Sequence, residues 1–102
     1  MRFMVHLEAE WNAAEKLDTT PGGPGKLFGA VGERFRPEQF FVDAGRRAVW
    51  WVIDFADNAA ITELMHLCVA HAGAYPELRP ILTATEAPGI IGGAIQKARA
   101  PR

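Results

Sequence analysis

The stretch Ala48-Val49-Trp50-Trp51-Val52-Ile53-Asp54-Phe55 constrains this chain more than any other. Its β-branched and aromatic residues favour an extended strand. Successive strand side chains point to opposite faces, so Val49, Trp51, Ile53 and Phe55 share one face. A sheet covered on one side only should be polar at the alternate positions. Ala48, Trp50 and Val52 occupy them instead. This strand therefore needs apolar cover on both faces.

The rest of the chain supplies neighbours for it. Residues 2–8 alternate, with Phe3, Val5 and Leu7 against Arg2, Met4, His6 and Glu8, which predicts a first strand. A short helical turn is expected around Asn12–Leu17, and Pro21-Gly22-Gly23-Pro24-Gly25 marks a loop. From Lys26, Leu27, Phe28, Val31 and Phe35 follow helical spacing, and Pro37 ends that helix. Gln39–Asp43 reads as a second strand, joined by Asp43-Ala44-Gly45-Arg46 to the third strand, Ala48–Phe55.

Asp57 or Asn58 then caps a helix with an apolar stripe of Ile61, Leu64, Met65, Cys68, Val69 and Ala72, closed by Gly73. Glu77–Thr83 is expected as a fourth strand, at an edge because of Pro80. Thr83 and Glu86 have capping-box spacing, and a last helix is expected over Ile90–Ala98. The predicted fold class is α+β, a ferredoxin-like β-α-β-β-α-β sandwich with an extra C-terminal helix. Residues 1–98 form one expected domain, and residues 99–102 are expected to fray.

Composition closes several functional classes. With 102 residues, 49% apolar and 23% charged, the chain suits a globular domain. A net charge of −1 gives no basic field for nucleic acid. RNA-recognition domains share the strand order, but Arg47–Asp54 keeps only one aromatic of their third-strand pattern. One cysteine, Cys68, excludes an intramolecular disulfide framework and fits a reducing compartment. The N-terminus lacks a signal-like apolar run, and no 18-residue apolar stretch exists, so a cytoplasmic location without membrane contact is expected.

The open face of such a sheet would carry Met4, His6, Trp50 and Val52 together with Phe40 or Phe41. An exposed patch of this kind promotes association. A homodimer packing sheet against sheet is expected; the alternative is a C-terminal helix folded over that face.

Three stretches carry a family resemblance: Glu33-Arg34-Phe35-Arg36-Pro37-Glu38, Gly45-Arg46-Arg47-Ala48-Val49-Trp50-Trp51-Val52-Ile53-Asp54, and Tyr75-Pro76-Glu77-Leu78-Arg79-Pro80-Ile81-Leu82-Thr83. In these the chain resembles the dimeric α+β barrel proteins, and within them small bacterial proteins similar to muconolactone isomerase. The resemblance implies a ferredoxin-like subunit, dimers through sheet faces, and a small-molecule cleft between sheet and helices. Isomerases, cofactor-free oxygenases, and dye- and haem-handling enzymes share that fold, so fold alone selects no activity.

Individual residues suggest chemistry without a catalytic motif. His66, Cys68 and His71 do not make a metal site, because His66 and His71 diverge by about 140° on a helix and Cys68 lies in the apolar stripe. No metal and no cofactor is expected. His71 borders the apolar arc, and His6 can meet a tryptophan across the sheet; each is a candidate general acid or base, or simply a packed histidine. Trp50, Trp51 and Tyr75 suit a wall for an apolar or aromatic ligand, or serve as core and interface filling. Arg79 can pair a ligand carboxylate or guard an edge strand, and Arg46 and Arg47 read as turn charges.

Gly22-Gly23-Pro24-Gly25-Lys26 is no Walker loop: Thr20 holds the place of its first glycine and Leu27 that of its Ser or Thr. It reads as a surface loop, a potential lid. Two functional readings follow. One is an isomerase or cofactor-free oxygenase acting on an apolar or aromatic carbonyl compound. The other is a non-catalytic binding or interaction module whose aromatics serve a dimer interface. The sequence does not decide whether the protein is an enzyme.

Overall fold

Alternation and helical periodicity translate directly into elements in the computed structural model. It describes residues 1–101, apart from the side chains of Trp11 and Leu17. Arg102, in the tail expected to fray, lies outside the described residues. The order is β1 (Arg2–Glu8), α1 (Trp11–Thr19), α2 (Gly25–Phe35), β2 (Gln39–Val42), β3 (Ala48–Asp54), α3 (Asn58–Ala72), β4 (Glu77–Pro80) and α4 (Ala87–Arg99).

The fold is α+β: one antiparallel sheet in the order β2-β3-β1-β4 with four helices. The doubly apolar strand β3 is an inner strand, between β2 and β1. Its register pairs Trp50 with His6 and with Phe41, while His6 pairs with Glu77, so Phe41, Trp50, His6 and Glu77 form one row across the sheet. The neighbouring row, Phe40, Trp51, Val5 and Leu78, faces the helices.

The core sits on that second face. Val5, Leu27, Val31, Trp51, Ile53 and Leu64 are almost fully buried. Burial of such side chains contributes about 1.5–3 kcal/mol each. Asp57 caps α3 by accepting from the Ala60 N–H at 2.8 Å, and Gly73 ends it with φ +67°. Helix α2 ends on Arg36 in the left-handed region, φ 46°, just before Pro37.

Several element boundaries differ from the sequence expectation. Helix α1 runs the full nine residues of Trp11–Thr19 rather than a short turn. β2 and β3 each stop one residue early, at Val42 and Asp54. β4 ends at Pro80 rather than Thr83: Ile81 N–H still donates to the carbonyl of Arg2, the first residue of β1 (3.1 Å), and the Thr83 N–H turns to Glu86 Oε1 (2.8 Å). Glu86 N–H donates back to Thr83 Oγ1 (3.2 Å), completing the capping box. α4 then starts at Ala87 and takes in Pro88-Gly89, since proline in a first turn gives up no intrahelical bond.

Helix α4 does not cover the open face. None of its thirteen residues is buried. The molecule measures 58 × 27 × 25 Å, with a radius of gyration of 16.7 Å, against about 13 Å for a compact chain of this length. Among the described residues, no helix is long and apolar enough to cross a membrane.

Candidate ligand cleft and the open sheet face

β1 and β3 finish together at the Glu8–Ala48 pair, and the β2–β3 turn continues beyond them. Ala9 N–H donates to the Arg47 carbonyl (2.9 Å), and Asp43 N–H to the Ala48 carbonyl (2.9 Å), which fixes the turn against the end of β1. Asp43 Oδ1 accepts from Gly45 N–H at 2.8 Å, a side-chain closure typical of Asp in turns.

Below this turn lies a cleft of about 600 Å³ between sheet and helices. Leu7 and Val49 form its floor, Leu27 and Phe28 of α2 and Ala14 of α1 its walls, and Pro24 of the glycine-rich turn stands at its side. Arg46 Nη1 bonds Glu8 Oε1 at 3.0 Å, and Arg47 pairs with Asp18 of α1. These two ion pairs tie the turn to β1 and α1 across the rim. Both are solvent-exposed, so each contributes under about 1 kcal/mol. The volume is ordinary for a small-molecule site, and the apolar floor with a charged rim is its usual composition.

Among the described lining residues there is no His, Cys, Ser, Thr or Tyr. The ionisable groups are Glu8, Asp18, Asp43, Arg46 and Arg47. Four of them are engaged with one another, and Asp43 is held by the turn. Such a cleft can enclose an apolar body, with hydrogen-bonding groups at its mouth.

The sequence-predicted residues fall elsewhere. His6 and Trp50 do meet: their rings stack on the open face with centroids 3.9 Å apart and 20° between planes. Arg79 shares that face through its pairing with Met4. Trp51 lies on the other side, 1% exposed, with Phe40 stacked at 5.6 Å and Phe28 edge-on at 6.2 Å. It is core packing. His71 is half-buried on α3, in the helical layer on the far side of the sheet from His6, and Tyr75 is 66% exposed in the α3–β4 connection. The structure therefore gathers His6, Trp50 and Arg79, and separates Trp51, His71 and Tyr75 from them.

Electrostatics add little chemistry to either location. Burial pushes the Cys68 thiol up to about 11, as expected of a packed cysteine. The N-terminal ammonium, 3.0 Å from Asp54 Oδ1, holds that carboxyl below its usual range. The Glu38 carboxylate hydrogen-bonded to Arg2 raises the guanidinium pKa. Among the described residues, no three His, Cys, Asp or Glu side chains cluster as metal donors.

Arg46 and Arg47 stand on the rim, although in the sequence they read only as turn charges. A basic pair in a hairpin turn, with acids at Glu8 and Asp18, is a faint signal for such a rim. Leu27 and Phe28 are legible as apolar, but helical spacing does not distinguish a cleft wall from a filled core. Comparison of the chain with protein-family models, curated proteins and solved structures gave no match.

Proposed function

We propose that this chain is a homodimeric small-molecule-binding protein of the dimeric α+β barrel kind, taking an apolar or aromatic ligand in the cleft beneath the β2–β3 turn. The cleft carries the reading: about 600 Å³, apolar floor, charged rim. The strand order, read from β4 as β4-β1-β3-β2 with every pair antiparallel, supports a ferredoxin-like assignment.

Dimerisation through sheet faces is supported by the open face itself. Trp50, His6 and Met4 are half-buried there and Phe41 is 54% exposed, with α4 standing clear of them. A second copy of the same face supplies the missing apolar cover. The His6–Trp50 stack then belongs to the interface. Neither His6 nor His71 lines the cleft, and its carboxylates are engaged: Glu8 and Asp18 pair with Arg46 and Arg47, and Asp43 accepts from Gly45 N–H. The reading is therefore binding, with the open-face aromatics serving assembly.

A fluorescence titration with 2-naphthol tests the cleft. Saturable binding at one site per chain is expected, weakened at least tenfold by Ala14→Phe, which fills the wall, with the circular dichroism of the variant unchanged. Equal binding by folded Ala14→Phe would remove the ligand from this cleft.

A further inference from the structure

We infer that the ligand of the cleft carries a protonated amine beside its apolar body, and that Asp43 is the residue that selects it. The inference rests on the cleft reading above and names the charge its ligand bears.

The first observation is a charge imbalance at the mouth. The lining holds three carboxylates, Glu8, Asp18 and Asp43, against two guanidiniums, Arg46 and Arg47. Glu8 takes Arg46 and Asp18 takes Arg47, which leaves Asp43 over. Among the described residues no Lys or Arg pairs with it. The lysines of the two wall helices, Lys16 and Lys26, are not on the lining. Lys26 Cε lies 3.0 Å from where a Gly22 Cβ would stand, so that side chain runs back over the glycine-rich turn.

The second observation is that Asp43 is set in place before any ligand arrives. Its N–H donates to the Ala48 carbonyl at 2.9 Å, and its Oδ1 accepts from Gly45 N–H at 2.8 Å. The residue is half-buried. The turn therefore orients the carboxylate through one oxygen and leaves its charge uncompensated. An acceptor held in this way binds a donor with little further ordering. Its hydrogen bond to an ammonium is charge-assisted, and so roughly twice as strong as a neutral one.

The third observation decides the sign of the ligand. Helix α2 starts at the cleft behind Pro24 with no side-chain cap, and such a helix start favours an anion. An anion at the mouth, however, must displace Glu8 or Asp18 from its arginine, or meet the free charge of Asp43. An ammonium displaces nothing. It brings the lining's three negative and two positive groups to neutrality and keeps both ion pairs across the rim. The ligand class is accordingly a primary amine on an aromatic or aliphatic skeleton, the skeleton lying against Leu7, Val49, Leu27 and Phe28.

The test compares three probes with one ring system, at neutral pH and low salt, on the full chain. They are 2-naphthylmethylamine, 2-naphthol and 2-naphthoate, each followed by fluorescence titration. The inference expects the amine to bind at least tenfold tighter than 2-naphthol, and 2-naphthoate to bind no tighter than 2-naphthol. Asp43→Asn keeps an acceptor for Gly45 N–H and removes the charge. It should abolish the amine's advantage and leave 2-naphthol binding unchanged. An amine no tighter than 2-naphthol, or a tighter 2-naphthoate, overturns the ligand class and leaves the cleft reading standing. An amine advantage that survives Asp43→Asn overturns the role of Asp43. Binding of none of the three by the unmodified chain overturns the cleft reading and this inference together.

Discussion

Adjacent tryptophans in one strand have opposite consequences here, and substitution separates them. Trp51 is enclosed by Phe28 and Phe40, so Trp51→Ala should cost about 3–5 kcal/mol in urea unfolding. Trp50 faces outward against His6. Trp50→Ala should leave the fold's circular dichroism intact and raise the dimer dissociation constant at least tenfold. Equal losses of folding stability for both would contradict the two-faced strand. The alternation of β3 makes this division legible in the sequence, but it cannot say which tryptophan meets a ligand, because strand parity assigns faces and not cavities. Cys68 gives a pH prediction. Its thiol is held near 11 when folded, against 9.0 ordinarily, so the unfolded chain releases this proton first. Its contribution is whole below about pH 9 and is lost towards pH 11, up to roughly 2–3 kcal/mol. Between pH 8 and 10.5 the wild type should therefore lose more unfolding free energy than Cys68→Ala; parallel losses would contradict a desolvated thiol.

At the scale of elements, caps and turns decide boundaries that periodicity leaves open. Asp57→Ala removes the bond to Ala60 N–H and should destabilise α3 by about 1 kcal/mol, read by chemical denaturation. Arg36 holds a left-handed conformation at the end of α2, so Arg36→Gly should raise the unfolding midpoint, by about 1 kcal/mol in stability; a lower midpoint would mean that the arginine side chain matters more than its backbone. These signals are legible: Asp57, Gly73, Pro37 and the Thr83/Glu86 pair all act where their chemistry predicts. The sequence makes β4 three residues too long, because Ile81-Leu82-Thr83 has strand character, whereas β1 starts at Arg2, whose carbonyl takes the Ile81 N–H, and Thr83 turns to Glu86. It makes α4 begin late, because Pro88-Gly89 reads as a break unless it falls in a first turn. The cleft is the least legible feature. It forms where α1, α2, the β2–β3 turn and the ends of two strands converge, and no local pattern encodes that meeting.

For the whole molecule, one sheet face is filled by helices, while the other leaves Met4, His6 and Trp50 half-buried and Phe41 54% exposed. The outstretched α4 and the open face together make association the simplest way to remove apolar surface from water. In the proposed function, binding and assembly use opposite sides of one sheet: the ligand would enter between β-sheet and helices, and the partner would meet the outer face. The most direct test is native mass spectrometry of the full chain with and without 2-naphthol. The account predicts a dimer that retains up to one 2-naphthol per chain. A monomer that retains none at millimolar concentration would contradict it.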